Sequence, residues 1–393
     1  MQIKSVRDAE VAGKRVLMRV DFNVPIKEGR VLDDTRLKVA LPTLEFLQKN
    51  GASKIILLTH VGRPQGKVDE SLCIAPIEER LQEIFAESNL GEKMVWPRSG
   101  DPRTFSRRDS TEIELRENLR FDPREESNGE EFAKELASAG DVFVNEAFPI
   151  SHRRSASIVG IPKFLPSFMG LRFEEEIEQL TPALTPPPHS VAIIGGAKFE
   201  TKIPLIEKLL KSYKKVMLGG ALANDLLKSR GMPVGSSLVS ATPVPVVIAE
   251  NERLLAPKDV ALLDEKTDMG RTTYTSDVRM GEKILDIGPQ TIEHWSKEVA
   301  SAEFVLWSGP LGMYEGGFVE GTDGIAHALA HSGASAVVGG GDTIAAIQRF
   351  DLNSELSRSN LEKSGKIFIS TGGGAMLEFL TSGTLPGIVA LAK

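Results

Sequence analysis

Arginine and histidine side chains recur at the ends of apolar segments in the first half of the chain. Arg36 lies in DDTRL, His60 and Arg63 lie in THVGRP, Arg120 lies in ENLRF, and Arg153 lies in HRR. The planar guanidinium group binds carboxylates and phosphates through paired hydrogen bonds. A surface salt bridge is the simpler interpretation of any single arginine. Their recurrence at segment ends favours a site for a small polyanion.

Two further polar residues follow the first apolar segment. Asp21 and Asn23 stand two apart in RVDFNVP. At the end of a strand, both side chains can point into a crevice. A turn is an equally good interpretation, because Asp, Asn and Pro all favour turns.

The second half of the chain is rich in glycine signals. Residues 190–202 read SVAIIGGAKFETK, which predicts a strand, a Gly-Gly turn and a helix whose first turns carry Lys198 and Lys202 on one face. The N-terminus of a helix attracts phosphate through its free N–H groups and its dipole. Glycine clusters also follow apolar segments at 219–220, 339–341 and 372–374. The sequence therefore predicts a phosphate-binding surface, although each cluster alone is a weak signal.

Asp342 is the candidate magnesium ligand of this region. It follows three glycines, and Mg²⁺ in proteins is usually bound by one or two carboxylates together with substrate phosphates. An N-cap is the alternative, because Asp before Thr-Ile-Ala-Ala is a good helix start. Both interpretations can hold together. Neither GxxxxGK[ST] nor GxGxxG is present, which disfavours P-loop NTPases and dinucleotide-binding enzymes.

Other metal chemistry has little support. His327 and His331 are one helical turn apart, but no third ligand accompanies them, so a solvated helix face is the preferred interpretation. Cys73 is the single cysteine, which excludes an intrachain disulfide and a cysteine-based zinc site.

The elements that must position these residues alternate between strands and helices. Apolar, β-rich segments end in Gly, Asp, Asn or His, and helical patterns separate most of them. The alternation predicts parallel sheets covered on both faces, with ligands beyond the carboxyl ends of the strands. The predicted strands are 14–22, 54–60, 94–96, 112–118, 141–147, 190–196, 214–220, 259–265, 283–288, 303–309, 334–342 and 366–374. Leu37, Leu41, Leu44 and Leu47 predict one amphipathic helix over 35–50.

Length and composition indicate a protein of two α/β domains. With 393 residues, the chain is too long for one ordinary core at about 150 residues per domain. A break at 181–189, TPALTPPPH, separates a first domain of about 1–170 from a second beginning near 185. The net charge of −7 argues against nucleic acid as a partner. No apolar run is long enough to span a membrane, and the polar N-terminus does not look like a secretory signal, so we expect a cytoplasmic location.

Ten segments, in order along the chain, together resemble the phosphoglycerate kinase family. They are RVDFNVP (19–25), THVGRP (59–64), ENLRF (117–121), DVFVNEAF (141–148), GGAKFETK (195–202), GGALAN (219–224), DIGPQT (286–291), WSGPLGMYE (307–315), GGGDT (339–343) and STGGGAMLEFL (370–380). Any one is weak, whereas ten in order are highly specific.

The resemblance implies two doubly wound, Rossmann-like parallel-sheet domains that face each other across a cleft. It implies a 3-phosphoglycerate-binding domain at 1–170, an interdomain helix and linker at 171–184, and a nucleotide-binding domain at 185–382. The tail, 383–393, would pack back on the first domain. It further implies a monomer that uses ATP, 3-phosphoglycerate and Mg²⁺ and closes by hinge bending.

The resemblance also implies roles for individual residues. The 3-phosphoglycerate site would comprise Asp21, Asn23, Arg36, His60, Arg63, Arg120 and Arg153. The nucleotide site would comprise Gly196, Ala197, Lys198, Lys202, Gly219, Pro310, Glu315, Gly341, Asp342 and Thr343, with Asp342 as the metal ligand. The catalytic groups would be Arg36, Lys198, Lys202, Gly372 and Gly373.

Three positions depart from the family pattern. Pro149 stands where the family usually has a flexible glycine, Ser308 replaces an asparagine in Trp-Asn-Gly-Pro, and Glu175 replaces a lysine common in the interdomain helix. The charged residues implied in the chemistry are intact, so we expect activity. The alternatives are a catalytically impaired binding protein of this family and a doubly wound NAD-dependent dehydrogenase.

Overall fold

The protein is described here by a computed structural model covering residues 3–88, 90, 94–95, 110–265, 267, 269–340, 343 and 366–392. Contacts within the chain divide it into two units. Unit 1 comprises Met1–Glu178 and Thr384–Lys393, and unit 2 comprises Gln179–Gly383. The division falls inside the helix Leu171–Leu184.

Unit 1 is built on a parallel sheet with the strand order β5-β6-β4-β1-β7-β8. Its strands are apolar because helices cover the faces of a parallel sheet; Ile55, Ile56, Leu57 and Leu58 in β4 are all buried. The strands of unit 1, including a separate small hairpin of β2 and β3, are β1 (Arg15–Arg19), β2 (Ile26–Lys27), β3 (Arg30–Val31), β4 (Lys54–Leu58), β5 (Met94–Val95), β6 (Thr111–Leu115), β7 (Val142–Asn145) and β8 (Ser167–Met169).

The helices of unit 1 bury periodic apolar faces. In α3, Ile77, Leu81 and Ile84 recur at helical spacing and are buried. The helices up to the division of the chain are α1 (Thr35–Lys38), α2 (Leu41–Lys49), α3 (Ala75–Ala86), α4 (Pro123–Glu126), α5 (Glu130–Ala137) and α6 (Leu171–Leu184).

The predicted single helix over 35–50 is wrong in one respect. The structure has two helices, α1 and α2, separated at Val39 and Ala40. Pro42, in the first turn of α2, lacks an N–H and its ring would clash with the carbonyl of Lys38 in a continuous helix. Leu37, Leu44 and Leu47 are nevertheless buried as the periodicity predicts.

Unit 2 contains a parallel sheet with the doubly wound strand order β11-β10-β9-β15-β16-β17. The strands of this sheet are β9 (Ser190–Ile194), β10 (Lys215–Leu218), β11 (Leu254–Leu255), β15 (Phe304–Ser308), β16 (Ser335–Gly339) and β17 (Ile367–Ser370). Among the described residues, the helices after the division are, in chain order, α7 (Ile203–Ser212), α8 (Gly220–Ser229), α9 (Val246–Ala249), α10 (Pro289–Ala300), α11 (Glu320–Ala330), α12 (Gly374–Ser382) and α13 (Pro386–Leu391).

A second sheet of unit 2 differs from the parallel arrangement expected from sequence. The strands β12 (Asp259–Asp264), β13 (Gly270–Tyr274) and β14 (Glu282–Ile287) form an antiparallel sheet in the order β13-β12-β14. Only a few residues separate these strands. Residues 265–269 join β12 and β13 as a hairpin and are too few for a parallel crossover between neighbouring strands, which usually needs a helix. The alternation rule therefore fails for this segment: β12 and β14 were predicted as strands, whereas β13 was not.

The last helix, α13, packs within unit 1. The N–H of Gly387 donates to the carbonyl of Ser151 at 2.8 Å. A Cβ at Gly387 would lie 2.7 Å from the Ser151 side chain, so the close approach requires glycine there. None of the described helices is long and apolar enough to cross a bilayer.

Candidate active site

The carboxyl ends of β1, β4 and β6 bring the predicted anion-binding residues of unit 1 together. Arg36 donates to the carboxylate of Asp21, and the Nδ1 of His60 lies 4.0 Å from the other oxygen of that carboxylate. Asn23 accepts from the N–H of Gly62 at 2.9 Å, and Arg120 donates to the carbonyl of Gly62 at 2.7 Å. These contacts join three successive strand ends into one surface.

Arg63 and Arg153 complete this cluster electrostatically. The positive charges of both residues act on Arg120, and that of Arg153 also acts on His60. Burial lowers the pKa of Arg120, and these neighbouring arginines lower it further. A concentration of cations around one carboxylate attracts a ligand with several negative charges.

Sequence reasoning missed Arg19, which lies beneath this surface. It is the last residue of β1, is 1% exposed, and places Nη2 at 3.2 Å from the Nδ1 of His60. An arginine inside the apolar run VLMRV was the signal that could have revealed it, since a buried charge requires partners.

Pro149 is accommodated in the turn that precedes Arg153. It lies in the first turn of a short 3-10 segment, Phe148–Ile150, where a missing N–H costs little. The N–H of Arg153 donates to the carbonyl of Ile150 at 2.8 Å. Glu175, a second departure, pairs with Arg172 one turn earlier on α6 at 2.6 Å.

In unit 2, the two predicted lysines flank a short turn instead of lying in the first turns of a helix. Lys198 has a left-handed backbone, with φ of 64°, and precedes the 3-10 turn Phe199–Thr201. Lys202 joins that turn to α7, which begins at Ile203. The predicted helical position of both lysines is therefore wrong. Burial lowers the pKa of Lys202, whereas the Lys198 side chain is exposed.

A cavity of about 460 Å³ opens beside the Lys198 turn. Its size is in the range of small-molecule sites, and its walls are mostly apolar with a few polar groups, as such sites require. Of the predicted nucleotide residues, Gly196, Ala197, Pro310 and Glu315 line the cavity. In place of Gly219, its neighbour Gly220 is a lining residue. Apolar walls come from Leu238, Val260, Ile284, Leu285, Ile287, Leu311 and Met313.

Two loops at the switch point of the sheet must approach closely to form this cavity. A Cβ at Gly195, after β9, would lie 2.0 Å from the carbonyl oxygen of Pro310, after β15. Asp286 closes another wall and accepts from the N–H of Gly321 at 2.8 Å. Burial raises the pKa of Asp286 to about 7.

The remaining glycine-rich loops are described in part. Gly341 and Asp342 lie outside the described residues. Thr343 is buried, and its hydroxyl accepts from the N–H of Gly309 at 2.6 Å, directly after Ser308, the third departure. Gly373 has φ of 49° and precedes α12, while Gly372 donates to the hydroxyl of Ser370 at 3.0 Å.

The histidine pair lies at the end of α11, and the cysteine follows the 3-10 turn Glu70–Leu72. The rings of His327 and His331 stack with centroids 4.2 Å apart on α11. Among the residues that the structure describes, no group of three or more potential ligands is arranged to hold a metal ion. Cys73 is a free, half-buried thiol.

Comparison with known proteins shows the family to which the chain belongs. The sequence model of the phosphoglycerate kinase family matches residues 6–383. The chain belongs to the phosphoglycerate kinase family. Its activity is that of a phosphoglycerate kinase, a phosphotransferase, and the comparisons do not favour a family-like binding protein that has lost catalysis.

Individual phosphoglycerate kinases agree over the full length. The enzyme of a Roseiflexus species is 40% identical over 404 residues, covering 100% of this chain and 99% of the relative. That of Chloroflexus aurantiacus is 41% identical over 409 residues, with the same coverage. Among solved structures, the phosphoglycerate kinase of Coxiella burnetii has a TM-score of 0.80 and 32% identity, covering 99% of both chains. The predicted two-domain α/β fold of the family is thereby confirmed.

Proposed function

We propose that this enzyme transfers a phosphoryl group reversibly between ATP and 3-phosphoglycerate, or between 1,3-bisphosphoglycerate and ADP, in the cytoplasm and as a monomer. The observation that carries the proposal is that the two units contain binding surfaces of different chemical character. Unit 1 gathers cations around Asp21 and His60 at its strand ends, and unit 2 has an apolar cavity beside glycine turns. A small polyanion suits the first, and a nucleotide suits the second.

For 3-phosphoglycerate we propose the residues Asp21, Asn23, Arg36, His60, Arg63, Arg120 and Arg153. A bound anion neutralises the positive charge of several arginines, and the directional hydrogen bonds of their guanidinium groups orient it. Arg120 is already oriented through the carbonyl of Gly62, and Arg36 through Asp21. These second contacts support a preformed site because the side chains need little reordering when the ligand binds.

For the nucleotide we propose Gly196, Ala197, Gly219, Pro310 and Glu315 around the adenosine, with Lys198, Lys202, Gly341, Asp342 and Thr343 around the phosphates. The apolar cavity walls suit the base, and Glu315 supplies a carboxylate that can accept from ribose hydroxyls. The left-handed turn at Lys198 supports the assignment, since strained backbone is concentrated at functional sites.

Magnesium is the metal that this donor set suits. Asp342 offers a carboxylate in a glycine-rich loop, and Mg²⁺ accepts one or two protein carboxylates beside phosphate oxygens. The hydroxyl of Thr343, the next residue, is buried and accepts from the Gly309 amide. When bound, the metal would neutralise phosphate charge.

In the forward direction, a carboxylate oxygen of 3-phosphoglycerate forms a bond to the γ-phosphorus of ATP while the bond from that phosphorus to the bridging oxygen of ADP breaks. The carboxylate is already ionised, so no general base is required. Negative charge spreads over the transferred group. We propose that Arg36, Lys198 and Lys202 stabilise that charge, together with N–H groups at Gly372 and Gly373.

Transfer requires both ligands in one reaction complex. We propose that the functional division runs as 1–170, 171–184 and 185–382, with the tail 383–393 assigned to the first domain, and that hinge-bending closure unites the ligands. Small-angle scattering should show the smallest radius of gyration with both substrates bound. An identical radius with and without both ligands would refute closure.

A coupled assay with ATP, Mg²⁺ and 3-phosphoglycerate tests the function directly. We expect turnover that depends on all three components and stops when a chelator removes the metal. Turnover that persists without 3-phosphoglycerate would contradict the proposed acceptor. Full activity in excess chelator would contradict the metal assignment.

A further inference from the structure

The guanidinium group of Arg19 is held in one orientation from several sides. Its Nε donates to the hydroxyl of Ser157 at 2.8 Å, and its Nη1 donates to the carbonyls of Val20 and of Leu58, the latter at 3.2 Å. The remaining terminal nitrogen, Nη2, lies 3.2 Å from the Nδ1 of His60. Arg19 is 1% exposed, so protein groups replace the water that would otherwise solvate it.

The contact with His60 has only one possible direction. A guanidinium group carries donors and no acceptor. Burial lowers the pKa of Arg19 to about 10, which leaves it charged at neutral pH. The Nδ1 of His60 must therefore accept, and a ring nitrogen that accepts carries no proton.

The charges around His60 oppose a second proton on the ring. The side chain is 2% exposed, and burial lowers its pKa well below the ordinary value, helped by the charges of Arg19, Arg120, Arg36 and Arg153. The Asp21 carboxylate oxygen that faces the ring lies 4.0 Å from Nδ1, which is beyond hydrogen-bonding distance. A neutral imidazole with an occupied Nδ1 lone pair has its proton on Nε2.

Two residues outside the predicted site hold Arg19 in place. Ser157 lies in the π-helical turn Ala156–Gly160, and its hydroxyl accepts from Arg19 while donating to Glu125 at 2.6 Å. The other carboxylate oxygen of Glu125 accepts from the N–H of Ser157 at 3.0 Å. Both residues are almost fully buried, so the chain from Glu125 through Ser157 and Arg19 to His60 is shielded from water.

We propose that Arg19, held by Ser157 and Glu125, is a positioning residue that keeps His60 neutral in the Nε2–H tautomer, so that His60 donates a hydrogen bond to the anionic substrate. The inference rests on the proposed function in that it takes 3-phosphoglycerate as the ligand of unit 1. The opposite tautomer would present a lone pair to an anion. Binding would then lose one hydrogen bond to a charged group.

Nitrogen-15 NMR of the histidine rings decides the tautomer in the intact enzyme without substrate. The chain has six histidines, and the spectrum of His60→Gln assigns the His60 signals by their absence. We expect an unprotonated Nδ1, a protonated Nε2 and no titration between about pH 5 and 8, where an ordinary histidine changes charge. A protonated Nδ1, or titration near pH 6.5 as in free histidine, would overturn the proposal.

Variants then test whether Arg19 is responsible for the neutral Nε2–H tautomer of His60. In Arg19→Lys and in Ser157→Ala, we expect a mixed tautomer signal at His60 and a KM for 3-phosphoglycerate raised about 10- to 100-fold, with the KM for ATP unchanged. Ser167→Ala removes a hydroxyl elsewhere in unit 1 and should change neither readout. A pure Nε2–H signal in both folded variants would show that Arg19 is not responsible and overturn the proposal.

The His60 NMR spectrum and the turnover of 3-phosphoglycerate together distinguish failure of this inference from failure of the proposed function. If the wild-type enzyme failed to use 3-phosphoglycerate, the proposed function would fall, while the His60 spectrum would still report the tautomer. If turnover were normal but His60 carried its proton on Nδ1, the inference alone would fall. Glu125→Gln provides a second route where Ser157→Ala does not fold, because it weakens the same chain without removing the hydroxyl.

Discussion

Arg36 donates to the carboxylate of Asp21 in an ion pair of unequal burial. The Asp21 side chain is 5% exposed, whereas the Arg36 side chain is 36% exposed. The buried carboxylate thus fixes one side of the guanidinium group and leaves the other available to a ligand. Within the proposed anion site, Asp21 would therefore serve to hold Arg36, which accounts for the presence of a carboxylate there.

Arg36→Ala should lower kcat by about 10²–10³, the loss typical of one preorganised stabiliser of transition-state charge. Arg36→Lys should keep part of the activity because it retains charge without the planar fork. A coupled assay measures both variants, and circular dichroism checks their folding. Arg15→Ala is the matched control, since Arg15 pairs with Asp141 at the exposed start of β1. Near-normal turnover in folded Arg36→Ala would contradict the role.

Lys202→Ala should lower kcat far more than it changes either KM, because the proposed contact forms mainly in the transition state. Burial lowers the pKa of Lys202, so the protonated amine is lost at a lower pH than in an ordinary lysine. Activity should therefore fall as pH rises through that lowered pKa. Lys202→Arg should move this alkaline limit to higher pH.

Steady-state kinetics over a range of pH measures both the loss of kcat in Lys202→Ala and the shift of the alkaline limit in Lys202→Arg. Lys211→Ala, on the exposed end of the adjoining helix α7, should behave like the wild type. An unchanged kcat with a raised KM for ATP would make Lys202 a ground-state nucleotide contact.

Gly195→Ala should weaken nucleotide binding roughly tenfold or more, because its Cβ would lie 2.0 Å from the Pro310 carbonyl oxygen and force the two cavity loops apart. Binding of 3-phosphoglycerate to unit 1 should be unchanged. Calorimetry with each ligand separately tests the difference. Gly333→Ala is the control, since a Cβ there has no described neighbour within 4 Å. Wild-type nucleotide affinity in Gly195→Ala would show that nucleotide binding does not depend on the close approach of these two loops.

Glu146→Gln should flatten the pH dependence of stability. Glu146 is buried and accepts from Thr43 at 2.5 Å and from the N–H of Arg172 at 3.1 Å at the start of α6. Burial nevertheless raises its pKa to about 7 from 4.5. Between these values the unfolded chain ionises before the folded one, so the free energy of unfolding falls as pH rises, by about 3 kcal/mol in total.

Urea unfolding at pH 5 and at pH 8 measures this effect. The wild type should lose stability over the interval, and Glu146→Gln should lose roughly 2–3 kcal/mol less, because pH 5 already lies above the pKa of an unfolded glutamate. Glu130→Gln, an exposed substitution on α5, should follow the wild type. Parallel pH profiles for Glu146→Gln and the wild type would show that Glu146 is ionised in the folded enzyme at both pH values.

Motifs and periodicity were sufficient to predict the α/β class, the family and most strands of the two parallel sheets. Strand segments such as 54–60 are recognisable because a strand buried on both faces must be apolar along its length. Arg36, His60 and Lys202 were recognisable because strand ends and glycine turns are where a parallel sheet can bind ligands. Their individual roles, and the domain limits near 170 and 185, stay predictions.

Tertiary structure alone decided how these residues are held. Nothing in the linear pattern links Glu125 to His60, because a buried polar chain is made by residues far apart in sequence. Side-chain periodicity reports which face is buried, but not which partner covers it, and so it missed Arg19 and the antiparallel sheet around β12. Periodicity also could not predict local backbone geometry. Lys198 adopts a left-handed conformation that its residue type disfavours, and only the surrounding packing can impose it.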